Sequence, residues 1–305
     1  MVLVIVFIIF IFLIFLASWI IFYFSLYRYA NKDFVLNNDV NSRETKGKRK
    51  RPNPRVRWLD NHAKQINIKS DDGINLRGYI VNNDSKDWVV LVHGFSSDHT
   101  HMINRGIKFY NMGFNILLVD LRAHGDSEGK FITMGIKDSH DIVKWCKYIT
   151  KKEHARSIGL FGVSMGAATV MMASGLDLPR TTKYIIEDCG YTSVWEELKY
   201  QLKNIFHFPA FPFLNICNYY AKKIAKFDFK ENSPIESLSK TPLPVLMIHG
   251  TYDAFVPYYM LDKNYKACKS EKEKFVVDKA NHTEAEDLDY DNYWKTIKKF
   301  IYKYK

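Results

Sequence analysis

One serine in this 305-residue chain stands where a nucleophile would be needed. Gly162-Val163-Ser164-Met165-Gly166 separates an apolar run, SIGLFGV at 157–163, from the small-residue run MGAATVMMASG. The first reads as a strand and the second as a helix. A reversal between them is so tight that residues two before and two after the Ser must lack bulky side chains, and the hydroxyl is pushed out at the sheet edge. With residue frequencies near about 5%, a G-x-S-x-G arises by chance only about 0.04 times in such a length, before that context is required. A hydroxyl is a poor nucleophile at neutral pH, so it needs a base within hydrogen-bond reach and an acid that orients the base. His282 lies in a polar loop after the last predicted strand, KFVVDKA at 274–280, where an imidazole can swing over the same edge. Asp188 ends one predicted strand and Asp253 follows another; either carboxylate can reach that imidazole.

These groups meet only if the intervening chain brings the strand ends together. After residue 58, short apolar runs alternate with longer amphipathic ones, the signature of a mostly parallel sheet covered by helices on both faces. INIKSDDGINLRGYIVN at 66–82 reads as two edge strands around an Asp-Gly turn. Buried strands follow at 88–94 (WVVLVHG), 114–120 (FNILLVD), 157–163, 183–190 (KYIIEDCG), 244–250 (PVLMIHG) and 274–280. Ile142, Trp145, Cys146 and Ile149 recur at helical spacing between Asp138 and Lys152, and Asp291 to Tyr304 turns Trp294, Ile297, Phe300 and Ile301 inward. Between Tyr191 and Lys240 the rhythm stops, and an inserted lid is expected there. Its aromatics, Trp195, Phe206, Phe208, Phe211 and Phe213, are expected to wall an acyl pocket.

From about residue 66 onward the sequence resembles the α/β-hydrolase superfamily, in particular its single-pass, membrane-anchored bacterial members. The likeness rests on GVSMG, on His93-Gly94-Phe95, on the loop DLRAHGDSEG at 120–129, on EDCGYTS at 187–193, and on HGTYDAFVP and NHTEA. Ala123 stands where that loop usually has Gly. The resemblance implies an α/β-hydrolase fold and the chain order Ser164, Asp253, His282 for a catalytic triad, with Asp188 as the rival acid. It also implies an oxyanion hole from the backbone N–H groups of Phe95 and Met165, worth on the order of 3 kcal/mol each. No cofactor or metal is required. His99, His101 and His140 lack any metal-binding spacing and are expected in solvent, while His124 and Asp120 are expected to order their loop. Cys146, Cys189, Cys217 and Cys268 have no C-x-x-C pair and suggest neither a zinc site nor a disulfide framework.

Val2 to Phe24 carries no charge, and at about 1.5 Å per residue it covers about 34 Å, enough to cross a hydrocarbon core. A basic n-region and a small-residue cleavage site are missing, so a retained anchor is expected rather than a signal peptide. Of the net charge of +11, residues 28–57 hold +7 and residues 58–305 only +4. The basic excess therefore belongs to a juxtamembrane stalk facing anionic headgroups, and a nucleic-acid partner is not expected. The division is 1–27 anchor, 28–57 basic stalk, and 58–305 hydrolase domain with a lid at about 191–240. The charge asymmetry places the catalytic domain on the cytoplasmic side of the cell membrane, as a single-pass protein. The expected activity is serine hydrolysis of a carboxylic ester or thioester, the substrate being a small or lipid-like acyl compound. A serine peptidase on the same fold and a non-catalytic binding module are the alternatives.

Overall fold

Strands apolar on both faces can be buried only between two layers of helices, and this chain supplies both. The computed structural model describes residues 1–30 and 54–305. In chain order come helices α1 (Val2–Leu26) and α2 (Pro54–His62), strands β1 (Ala63–Lys69), β2 (Asn75–Val81) and β3 (Asp87–Val92), helix α3 (Ile103–Asn111), strand β4 (Asn115–Val119) and helix α4 (Ile136–Lys152). Strand β5 (Ser157–Val163), helix α5 (Met165–Ser174) and strand β6 (Thr182–Asp188) follow. The inserted segment carries helices α6 (Val194–Ile205), α7 (Phe213–Tyr220) and α8 (Pro234–Leu238). Strand β7 (Val245–Gly250), helix α9 (Tyr259–Ala267), strand β8 (Lys272–Val277) and helices α10 (Ala285–Leu288) and α11 (Tyr290–Tyr304) complete the chain.

The strands form one sheet in the order β1-β2-β4-β3-β5-β6-β7-β8. β1 and β2 pair antiparallel, as do β2 and β4, and every pair from β4 to β8 is parallel. Parallel pairing sends the carboxyl ends of β3, β5, β7 and β8 to one edge, just before Phe95, Ser164, Asp253 and His282 respectively. Alternation along β3 divides the core: Val90 and Val92 face the layer of α4 and α5, and Val89 and Leu91 face α3 and α11. β8 ends three residues sooner than its apolar run suggests, because the chain folds back over Gly250, where a Cβ would lie 2.2 Å from the Ala280 carbonyl oxygen.

Two regions depart from the expected division. Most of the 28–57 stalk lies outside the described residues, but its end is helical: α2 begins at Pro54 and packs on the domain through buried Leu59 and an edge-to-face contact of Trp58 with Tyr110 at 5.5 Å. Arg28, counted with the lipid-facing charges, instead donates its guanidinium to the carbonyls of Gly125 and Ser127. α1 also packs on the rest of the chain. Residues 1–13 are exposed and apolar, whereas Ser18, Ile21, Phe22 and Leu26 are buried against the inserted segment.

Candidate active site

Two glycines make the turn at Ser164 possible. A Cβ on Gly162 would meet the Gly166 carbonyl oxygen at 2.3 Å, and one on Gly166 would meet the Val92 carbonyl oxygen at 2.2 Å. Both approaches are to backbone, which cannot rotate away. Ser164 itself holds φ 56°, ψ −119°, a conformation that non-glycine residues rarely adopt, and strain of this kind gathers at functional sites. Its N–H donates to the Asp188 carbonyl at 2.8 Å, which fixes the turn to the next strand.

The side chains expected to form the triad converge. His282 Nε2 lies 2.8 Å from Ser164 Oγ, and His282 Nδ1 lies 2.7 Å from Asp253 Oδ2. Asp253 is itself held in place: Oδ1 accepts the amides of Phe255 at 3.0 Å and Val256 at 2.8 Å, and His249 Nε2 stands 3.3 Å from Oδ2. Burial opposes ionisation of Asp253, but the His282 ring and the His249 contact outweigh it and hold the carboxyl well below the usual range. For His282, burial opposes the charged form and the adjacent Asp253 carboxylate favours it; the net effect lifts the imidazole well above its ordinary value. Asp188 is not the carboxylate hydrogen-bonded to the imidazole. Its Oδ2 accepts the Tyr293 hydroxyl at 2.8 Å in the opposite layer.

The loop after β3 is clamped beside Ser164 by two histidines. His93 is fully buried, with Nδ1 2.8 Å from the Gly94 carbonyl and Nε2 accepting the Leu121 amide at 3.0 Å. Burial and neighbouring His124 push its pKa down to about 3, which keeps Nε2 available as an acceptor. His124 Nε2 accepts from the Ser96 amide at 3.2 Å. Gly94 lies so close that a Cβ would be 3.3 Å from that of Ser164, which brings Phe95 beside the nucleophile. Phe95 and Met165 line the same cavity as Ser164. Asp120 orders the adjoining loop: it accepts the His99 amide and ring at 2.8 Å each and the Asp126 amide at 2.8 Å. His99 is thus not solvated as expected; it stacks on Tyr79 with centroids 3.9 Å apart and pairs with a buried carboxylate. Ala123, in place of the usual Gly, adopts φ 60° and buries its methyl. Strain of about 1–2 kcal/mol is set against about 0.8 kcal/mol of methyl burial, so the loop keeps its shape at small cost.

The cavity above Ser164 has a volume of about 70 Å³ and is almost wholly apolar. Of the five lid aromatics, only Phe206 reaches it. Phe211 is 77% exposed, Phe208 and Phe213 stack on each other at 4.5 Å, and Trp195 lies under the Lys230 ammonium at 4.2 Å. The rest of the wall includes Tyr191, Leu198, Leu202, Leu214 and Phe229 of the inserted segment and Ile21, Phe22 and Leu26 of α1. Glu197 is an ionisable group in this lining, beside Gln201 and Ser25. It is buried, its Oε1 accepts from Gln201 at 2.8 Å and its Oε2 has no partner; burial pushes its pKa up to about 8 despite that amide. Glu197 and the α1 residues carried no motif in the sequence, whereas His249 was visible only as the His of HGTYD. Cys189, Asp253 and His282 offer ligand atoms within 4.8 Å of one another. Both imidazole nitrogens are already engaged by Asp253 and Ser164, and burial pushes the Cys189 thiol up to about 12, the wrong direction for a metal-binding thiolate.

Comparison with known proteins bears on the same features. The sequence profile of the X-Pro dipeptidyl-peptidase (S15) family matches residues 41–224, which include the Phe95 loop and Ser164 but stop before Asp253 and His282. A Bacillus subtilis (strain 168) protein, YqkD, is 27% identical over 236 residues, 77% of this chain and 77% of its own length. Mycobacterium tuberculosis (strain H37Rv) Rv2307c is 24% identical over 243 residues, 78% and 79% of the two chains. Among solved structures, the Pyrococcus furiosus esterase Pf2001 superposes with a TM-score of 0.67 at 21% identity, covering 87% of this chain and 98% of the esterase. The Pyrococcus horikoshii acylaminoacyl peptidase gives a TM-score of 0.55 at 18% identity over 73% of this chain and 38% of the peptidase. Since the profile match spans more than half of the sequence and includes the serine turn of the α/β-hydrolase fold, the chain belongs to the X-Pro dipeptidyl-peptidase (S15) family of serine hydrolases.

Proposed function

We propose that the protein is a membrane-anchored serine hydrolase that cleaves carboxylic esters or thioesters of apolar acyl chains. The observation that carries this reading is the Ser164 hydroxyl, 2.8 Å from His282 Nε2, at the floor of an apolar cavity. Ser164 Oγ attacks the acyl carbonyl while His282 Nε2 takes its proton, and Asp253 holds the resulting imidazolium in place. The negative charge on the former carbonyl oxygen meets the N–H groups of Phe95 and Met165. Collapse of this intermediate expels the alcohol or thiol, which leaves with the proton from Nε2. Water, deprotonated by the same nitrogen, then hydrolyses the acyl-enzyme and restores Ser164.

Anchoring through residues 2–24 is supported by the length and uncharged surface of α1, which is long and apolar enough to cross a membrane. Its burial against the lid supports retention, because removal would expose Leu214, Cys217 and the cavity. The +7 of residues 28–57 supports the cytoplasmic side for the domain, and the basic excess that remains without Arg28 supports lipid contact for the stalk. The peptidase alternative draws on the family and on Glu197, which could meet a substrate amine. Burial raises the pKa of that carboxyl to about 8, which weakens it as a countercharge for an amine, and the apolar wall supports the ester reading.

With p-nitrophenyl esters from acetyl to decanoyl, kcat/KM is expected to rise about fourfold per methylene until the cavity is full, since each buried methylene contributes about 0.8 kcal/mol. A flat profile together with cleavage of peptide amides would replace this reading with the peptidase. The pH profile follows from the imidazole. His282 accepts a proton only when neutral, and its pKa is raised, so the acid limb of kcat/KM should be centred above pH 6.5, activity being lost as pH falls through it. Glu197→Gln should leave that limb in place. A limb centred below 6.5 in both proteins would contradict the strength assigned to the Asp253 contact.

A further inference from the structure

The last turns of the apolar helix are built into the catalytic domain at several independent points. Ser18 offers its carbonyl to the Cys217 thiol at 3.3 Å, and Phe15 offers its carbonyl to the Tyr220 hydroxyl at 3.3 Å. Trp19 packs edge-to-face on Tyr220 with centroids 5.3 Å apart. Beyond the helix, the Leu26 carbonyl accepts from Ile132 at 2.8 Å, the Arg28 amide donates to Lys130 at 2.9 Å, and the Arg28 guanidinium grips the loop at Gly125 and Ser127. A tether needs none of these contacts. Their effect is to hold Ile21, Phe22, Ser25 and Leu26 against the cavity that opens on Ser164.

The opposite end of α1 supplies the geometry. Residues 1–13 are exposed apolar helix, about 20 Å long and short of the roughly 30 Å hydrocarbon core. For α1 to span, the first docked turns must themselves enter the hydrocarbon layer, which brings the adjoining lid surface down to the membrane boundary. The lid surface beside α1 has the matching character: Tyr219 and Ile224 are exposed, and Lys222, Lys223 and Lys226 surround them, an aromatic and basic rim suited to headgroups.

We infer that the membrane helix is itself a wall of the acyl-binding pocket, with Ile21 and Ser25 as specificity-determining residues, and that the substrate is a bilayer-borne ester whose acyl chain lies between α1 and the lid. This inference rests on the esterase reading above. The anchor then does two things with one element: it sets the height of the active site over the bilayer and completes the surface that measures the chain.

The test uses the full chain in phospholipid vesicles, with esters from acetyl to decanoyl and a fluorophosphonate to count reactive Ser164. Ser25→Trp, which pushes an indole into the cavity, should lower the ratio of decanoyl to acetyl kcat/KM at least tenfold, the worth of roughly two buried methylenes. Ile21→Ala enlarges the cavity and should move the preferred chain to greater length. Ile20→Trp, on the exposed face of the same helix, should leave the ratio as in the wild type. Ratios within twofold of wild type in both Ser25→Trp and Ile21→Ala overturn the inference, as does an equal fall in Ile20→Trp. Loss of fluorophosphonate labelling in both pocket variants also overturns it, since α1 would then be a folding element and not a chain-measuring wall. A wild-type protein without esterase activity removes the esterase reading itself, and the inference with it; a wild-type preference for long chains that no α1 variant alters leaves that reading standing and removes the inference alone.

Discussion

Ser164→Ala is expected to abolish labelling by a fluorophosphonate and to lower kcat by about 10⁴- to 10⁶-fold, because members of such a triad act as a unit and the loss of the nucleophile leaves only binding and the oxyanion donors. The fold should survive. Ala carries the same Cβ through the strained φ of 56°, the glycines that permit the turn are untouched, and only the contact to His282 is lost. The check is a labelling assay and a circular dichroism melt on the same preparation, with the full chain, because α1 forms part of the cavity. Labelling that persists in Ser164→Ala would place the reactive group elsewhere. A melt lowered by many degrees would show that the substitution tested folding instead of chemistry.

Asp253→Asn should cost about 10⁴-fold in kcat, the magnitude found when a triad carboxylate becomes an amide and the imidazole settles in the wrong tautomer. Asn can still accept the Phe255 and Val256 amides through its oxygen, so the loop geometry is preserved while the charge beside His282 Nδ1 disappears. The acid limb of the pH profile should therefore fall at the same time, since the carboxylate that raises the imidazole pKa has gone. Asp188→Asn should change kcat by less than about tenfold, because Asp188 serves Tyr293 and its replacement retains an acceptor. A larger loss in Asp188→Asn than in Asp253→Asn would transfer the orienting role to Asp188.

These two aspartates mark the limit of what could be read along the chain. β6 and β7 are adjacent parallel strands, and each delivers a carboxylate to the same sheet edge. Strand patterning makes both plausible. The choice depends on where each side chain finds its partner, and Asp188 is drawn to Tyr293 of α11, 105 residues away. His99 is similar. Its flanking residues look like an exposed helix start, but Asp120, from a loop 21 residues later, binds it.

The sequence by itself determined the parts whose physics is local. Five residues specify the serine turn, because only glycine permits the backbone approaches at 162 and 166. Runs apolar on both faces specify buried parallel strands, and parallel strands deliver their carboxyl ends, with Phe95, Ser164, Asp253 and His282, to one edge. Periodicity likewise placed Trp294, Ile297, Phe300 and Ile301 inside. Tertiary structure alone decided which surfaces meet. The lid aromatics looked like a pocket wall because aromatic side chains bury much area wherever they pack, yet Phe208 and Phe213 pack on each other and Trp195 meets Lys230. The wall came from Phe206, from residues the aromatic pattern did not single out, such as Leu198, Leu202 and Leu214, and from the end of α1, joined to α7 by contacts some two hundred residues apart in the chain. Hydrophobic burial has no direction and no memory of sequence distance, so an exposed apolar turn and one packed on a cavity have the same composition. Only the packed chain distinguishes the exposed turns of α1 from those against the cavity.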